Sequence, residues 1–360
     1  MKRIWIQRIG AAVLCAVLLA GCMPGSPAAD STASADPLTG QEQQYPGQRP
    51  AAVVIDNAPG STTQWGIGSA SVVLEAAARA DTAPSLCLVY PSVSAMPTVG
   101  PVTLGQDLFW RLLSGQQVLP IQRGCDLYTR NFLDYWNLRA VDALETGRNA
   151  FTTGNTDWAS PLWCTSGQSV AKVLGSLSLS SALSEDPAES ADSTQEGDTP
   201  AVPTVPALLP QQTDGHLPDA DVADAVQAAV QFPSGSTTRF AYDTDTGTYG
   251  MLHNDGTPQL DANTGTQAAF DNLLVLYSAS TPRDDGRTLD YDLTMGGGLW
   301  LNGGHLWHIT WTQGTGSTFA FYDADGRPLR ILSGRSYIAW LSSLTGEEVT
   351  VQDSAGNDLL

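Results

Sequence analysis

The sequence is short of positive charge, and of lysine most of all. Of 360 residues, 17 are Lys or Arg and 37 are Asp or Glu, a formal net charge of −20. The lysines are Lys2 and Lys172. Schiff-base catalysis needs a placed lysine, as does a nucleotide-phosphate loop of the form G-x-x-x-x-G-K-[ST], which is absent. The acidic balance argues against nucleic acid and against adhesion to anionic lipid headgroups. No C-x-x-C occurs, which excludes a redox dithiol and a zinc knuckle. His216, His253, His305 and His308 form no H-x-H, H-E-x-x-H or H-x-x-x-H pattern, so no metal is expected. No G-x-S-x-G elbow is present either, and nothing in the chain calls for a cofactor.

The N-terminus carries the most specific signal. Lys2, Arg3 and Arg8 precede an apolar run of 13 residues, Ile9 to Gly21. That is shorter than the roughly 20 residues of a membrane span and suits a secretory signal. The run ends in Leu19-Ala20-Gly21-Cys22, which resembles the bacterial lipobox and implies diacylation of the Cys22 thiol and cleavage of the chain immediately before that residue. Acyl chains anchor a protein by burying methylenes, about 0.8 kcal/mol each. Residues 23–36, MPGSPAADSTASAD, read as a flexible tether reaching on the order of 20 Å. The expectation is an extracytoplasmic lipoprotein on the outer face of the cytoplasmic membrane. Loss of the signal leaves 14 of the 17 basic residues against 37 acidic ones, a net charge of −23. Cys15 leaves with the signal and Cys22 takes lipid. Cys87 lies in an apolar run and reads as a buried thiol. Cys125 and Cys164 sit in polar surroundings in a compartment that permits a disulfide, so a bridge between them is a candidate.

Composition divides the remainder. A signal peptide is read at 1–21, the lipidated Cys and tether at 22–36, and an N-terminal α/β domain at 37–180. An acidic low-complexity linker follows at 181–215, then an antiparallel β domain at 216–345 and a tail at 346–360. The fold class is α+β, a mixed α/β domain followed by a mainly antiparallel β domain. AAVVID and SLCLVY read as buried strands, while LGQDLFWRLL and RNFLDYWNLRAVDALE have helical spacing. SASVVLEAAARA is ambiguous, because its alanines favour helix and its valines strand. In the second half GLWLNGGHLWHITWT is a hairpin about an Asn-Gly turn. Trp307, Ile309 and Trp311 should share its buried face.

The polar groups are weaker signals. The Asp-x-Asp/Asn pieces starting at Asp243, Asp261 and Asp323 lack the glutamate that closes a calcium loop, so they read as turns. A metal-stabilised β module is the remote alternative, with chelator-sensitive melting. Asp290 and Asp292, two apart on an expected strand, would place carboxylates about 7 Å apart on one face, a spacing suited to acid/base work. Nothing in the sequence makes that face concave or buried, so a solvated strand face is the preferred reading. Trp65 and Trp163, in loop-like segments, are the aromatics most suited to binding.

Ordered along the chain, PLTG (37–40), RPAAVVIDNAPGSTTQWGI, ASVVLEA, GPV (100–102) and GRNAFTTG are followed by FAYDTDTGTYGMLHNDGTPQLDANTGT, DNLLVLY, GRTLDYDL and FYDADGRPLRILSGRSYIAWL. This series resembles the YerB-like lipoproteins, a family of unknown function from Gram-positive-type bacteria. The resemblance implies an α/β domain followed by a β domain, and it tips VVLEAAA towards strand. It marks Asp56, Asn57, Gln64, Gly66 and Glu75 as matching the family's polar N-terminal residues. Where the family has an arginine-bearing GPVRSAR block, this chain reads GPVTLGQD, with Thr103 and Gln106 in place of arginines. Carboxylates without basic partners lose fixed geometry and a depressed pKa. Asp56 and Asn57 are therefore read as turn residues, and Glu75 is left open.

These readings point to a non-catalytic envelope lipoprotein that binds a protein partner or cell-wall glycan. The alternative is an enzyme of wall or surface polymers using Glu75, Asp56, Asn57 or the Asp290/Asp292 pair as its polar groups.

Overall fold

The computed structural model describes residues 34–58, 63–153, 162–184, 202–215, 217–314 and 318–360. The signal segment, Cys22 and most of the tether lie outside the described residues, as do His216 and the centre of the acidic linker. Residues 34–360 form one compact unit.

The N-terminal half supplies β1 (Ala51–Asp56), β2 (Val72–Ala76), β3 (Ser85–Tyr90), β4 (Leu119–Gln122) and β5 (Val141–Asp142). Strand β1 buries both faces, with Val53 and Ile55 in one core and Ala52 and Val54 in the other. Such a two-faced strand reads as a continuous apolar run rather than an alternating one. The same burial decides VVLEA. Val73 enters one core while Val72, Leu74 and Ala76 enter the other, so tertiary packing overrides the alanines' helix propensity.

The second half supplies β6 (Val222–Ala223), β7 (Gln227–Gln231), β8 (Thr237–Asp243), β9 (Thr248–Leu252) and β10 (Ala269–Phe270). It continues with β11 (Asn272–Ser278), β12 (Met295–Asn302), β13 (His305–Gln313), β14 (Phe319–Tyr322) and β15 (Pro328–Leu329). Strands β16 (Ser336–Ser342) and β17 (Glu348–Gln352) complete it. The β12–β13 hairpin turns through Gly303 and Gly304, with φ of 57° and 79°, the doubly positive geometry that matches strand twist and demands glycine-like residues. Trp307, Ile309 and Trp311 are buried as the alternation requires.

The halves share a 12-stranded sheet, ordered β15-β14-β13-β12-β11-β16-β2-β3-β1-β4-β5, with β6 on β13. The join is β16, which runs parallel to β11 on one side and to β2 on the other. A second, five-stranded antiparallel sheet, β10-β9-β8-β7-β17, contributes Phe240, Tyr249 and Met251 to the core that also holds Val53 and Val73. Helix α1 (Asp107–Leu112) covers the opposite face through Leu108, Phe109 and Leu112.

The sequence expectation departs from the fold in three places. The helix expected across 130–145 is α2, Leu127–Tyr135, capped by Asp126 and closed where Asn137 takes a φ of 49°. The chain then forms β5 and the short helix α3 (Ala143–Thr146). Within the linker 181–215, Leu208 and Leu209 are buried, and Gln211–Gln212 pairs with Ile331–Leu332. The C-terminal tail carries β17, whose Val351 is fully buried.

Candidate functional site

Strands β1, β4 and β5 run parallel, so their C-terminal ends lie side by side. Strands β1 and β4 pair over Ala51–Val53 and Leu119–Ile121 and then part. The segment 101–103 fills the opening. Asp56 N–H donates to Pro101 O at 2.9 Å, Thr103 N–H to Val54 O at 2.9 Å, and Arg123 N–H to Thr103 O at 2.8 Å. A crevice at the C-terminal ends of parallel strands is where open α/β sheets place ligands, and here the chain's own segment 101–103 occupies it.

Glu75 lies two strands from this crevice, and the fold seals it. Its side chain is fully buried, and three donors hold it. Asn57 Nδ2 and Thr238 Oγ1 donate to Oε1 at 2.8 and 2.7 Å, and Tyr337 Oη donates to Oε2 at 2.6 Å. Burial pushes its pKa up to about 7, while the bonds from Thr238, Tyr337 and Asn57 pull it down. Phe240 and Phe270 pack edge-on against Tyr337 at 4.8 and 5.2 Å between ring centroids. Among the described residues no arginine or lysine bonds this carboxylate. It ties β2 to β8 and β16, and so links the two halves.

Asp56 behaves as the turn residue expected, its Oδ1 accepting from Ala58 N–H at 3.0 Å. Asn57 does more, because it reaches Glu75 while its own Oδ1 accepts from Gln64 Nε2 at 3.1 Å. Gln64 also donates to Asp56 O at 2.8 Å. These residues therefore form one hydrogen-bonded chain ending on Glu75. Asp261, read as a turn residue, also reaches across the halves. It accepts from Gly66 N–H at 3.1 Å and Gly68 N–H at 2.8 Å, besides capping Asn263. Arg335, half-buried over Phe270, donates to Ile67 O, Ala70 O and Ala269 O at 2.7–2.9 Å. Apart from Asn263, neither residue's partners lie near it in sequence, so no local pattern announced the links across the halves.

The structure does not make a carboxylate pair of Asp290 and Asp292. Asp290 is bound by Arg111 at 2.8 Å and Arg283 at 3.1 Å. Asp292 lies beyond the short strand Leu289–Tyr291 and caps Thr294. Arg283 is also held by Asp107 at 2.6 Å, so this open, charged pocket is occupied by its own ion pairs. Cys87, Cys125 and Cys164 are free thiols. The candidate bridge between Cys125 and Cys164 is not formed, because Cys125 precedes α2 on the β4 side while Cys164 packs against Gly100. Among the described residues no group of three or more His, Cys, Asp or Glu could hold a metal. None of the described helices is long and apolar enough to cross a membrane.

Sequence reading missed Arg123, the basic group beside Thr103. Its guanidinium lies 5.8 Å from the centre of the Trp163 ring. The signal was present in PIQRGCD, an arginine directly after a buried strand, but nothing local placed it against Trp163.

The chain is similar to a Bacillus subtilis (strain 168) protein, YerB, described as a lipoprotein. The two are 26% identical over 321 residues, covering 87% of this chain and 88% of that one. The crystal structure of YerB protein from Bacillus subtilis has the same fold, with a TM-score of 0.72 at 20% identity over 88% of this chain and 99% of that one. Models for the N-terminal and C-terminal domains of one family match residues 38–179 and 228–338. The chain belongs to the DUF3048 family, proteins of unknown function built from these two domains.

Proposed function

We propose that this protein is a lipid-anchored, extracytoplasmic binding protein that holds a cell-wall polymer without turning it over. The observation that carries this reading is the state of Glu75. A general acid or base must reach the substrate's proton, whereas this carboxylate is fully buried and already accepts bonds from Asn57, Thr238 and Tyr337. The remaining candidate carboxylates, Asp56, Asp290 and Asp292, cap turns or sit in ion pairs. Trp65 and Trp163, half-buried beside the segment that fills the β1–β4 crevice, are aromatic side chains of the kind that stack on sugar rings. The relative described as a lipoprotein supports membrane anchoring, and Cys22 is the residue that would carry the lipid.

The enzyme reading has one observation in its favour. A pKa of about 7 for Glu75 is the tuning expected of a catalytic acid. The test is turnover. Detergent-solubilised protein and its Glu75→Gln variant are incubated with purified cell walls, and soluble reducing ends and free amines are followed. Neither is expected to release fragments beyond a protein-free control. Release by the wild type that the variant loses would overturn the proposal.

A further inference from the structure

We propose that Arg123 and Trp163 form an oxyanion-recognition point beside the segment that fills the crevice, a place for a carboxylate or phosphate group of the bound polymer. The inference rests on the binding reading above and gives it a ligand chemistry.

The backbone fixes both residues. Arg123 N–H is bonded to Thr103 O at 2.8 Å, and Trp163 O accepts from Val102 N–H at 2.6 Å. The inserted segment 101–103 therefore holds them on either side. The guanidinium lies over the indole face, an arrangement that keeps its plane and leaves its edge for a ligand. Arg123 Nε and Trp163 Nε1 are both buried donors without an acceptor. Buried N–H groups are almost always paired, and here one on each of two neighbouring side chains is not.

The charge context sharpens the point. Acidic residues outnumber basic ones by 37 to 17, yet Arg123 takes part in none of the ion pairs among the described residues. Other enclosed arginines are engaged. Arg49 donates to the Gln117 and Val118 carbonyls, Arg283 binds Asp107 and Asp290, and Arg335 holds three carbonyls. An arginine kept from carboxylates in an acidic protein suits an external carboxylate or phosphate, which its fork binds with two parallel bonds. Register separates it from the Glu75 link. Glu75, Leu86, Ile55 and Val102 lie in one row across the sheet, three strand spacings or about 14 Å.

The experiment titrates full-length, detergent-solubilised protein by calorimetry and tryptophan fluorescence. The probes are a soluble muramyl peptide with free carboxylates, the same peptide amidated, and inorganic phosphate. Intact walls are tested in parallel by sedimentation. At least one oxyanion should bind, with Arg123→Ala weakening it about tenfold or more. Arg123→Lys, which keeps charge but not the fork, should fall between. Trp163→Phe, which keeps the shelf and removes the N–H, should weaken binding severalfold. Loss on amidation assigns a carboxylate, and binding of phosphate assigns the tetrahedral anion. Each supports the point. Equal affinities in wild type, Arg123→Ala and Arg123→Lys would overturn it, as would walls that bind while no oxyanion does. If Arg123→Ala does not fold, Arg123→Lys decides. Walls that fail to bind any version overturn the parent reading instead.

Discussion

Replacing Glu75 with Gln removes a charge from the centre of the protein and keeps its shape. The amide oxygen can still accept from Asn57 and Thr238, and the amide nitrogen can donate to the Tyr337 hydroxyl oxygen. Desolvation raises the folded-state pKa of Glu75 from 4.5 to about 7. The folded protein thus keeps a proton that the unfolded chain releases above about pH 4.5. By linkage, Glu75's contribution to stability is fully present below pH 4.5, falls as pH rises, and is lost by about pH 7. The 2.5-unit difference corresponds to about 3 kcal/mol at most. The Glu75→Gln protein should therefore match the wild type near pH 4.5 and exceed it by up to about 3 kcal/mol at pH 8, a difference in melting temperature on the order of 5 °C. Thermal melts of both proteins from pH 4.5 to 8.5 give this difference directly, because every other ionisable group is common to both. Parallel melting curves would refute the reasoning. So would a variant several kcal/mol weaker at pH 8, which would mean that the charged carboxylate and its three bonds hold the fold.

Four further outcomes follow from the same structure. Tyr337→Phe removes a donor from a buried carboxylate and should cost about 1–3 kcal/mol at pH 8 and less at pH 5, read from denaturant midpoints at the two pH values. Arg335→Met strips donors from three backbone carbonyls that bridge the halves. It should cost about 3 kcal/mol or more, measured by the same unfolding. Asp290→Asn breaks ion pairs of a half-exposed carboxylate, so its effect should stay under about 1 kcal/mol and shrink further in high salt. Finally, Cys87, Cys125 and Cys164 should all react with a thiol reagent in denatured, unreduced protein, and reductant should leave the melting temperature unchanged.

Much of the fold was legible because its signals are local. The runs AAVVID and SLCLVY announce doubly buried strands, and Asn302-Gly303 announces the aromatic hairpin. VVLEA was not decidable from propensity, since only the packing of β16 and β3 on either side makes it a strand. Helix α2 ended early because Asn137 adopts a left-handed conformation that no helical periodicity forecasts. The candidate site was half legible. Asp56, Asn57, Gln64 and Glu75 cluster in sequence and meet in space, but the groups that define Glu75's chemistry, Thr238 and Tyr337, lie 163 and 262 residues away. The absence of arginines at Thr103 and Gln106 suggested a site without basic partners, whereas Arg123 enters from the neighbouring strand. Pairings made through β16 and across the β1–β4 crevice are properties of topology, and a single chain read residue by residue does not contain them.

The central claim is that the protein binds wall polymer and does not cut it. Its most direct test is to mix the detergent-solubilised protein with purified, insoluble cell walls, sediment them, and assay protein in the pellet and fragments in the supernatant. The account predicts that protein pellets with the walls and the supernatant stays free of fragments. Fragments in the supernatant would contradict the non-catalytic reading, and protein remaining in the supernatant would contradict the wall polymer as ligand and turn the search to a protein partner.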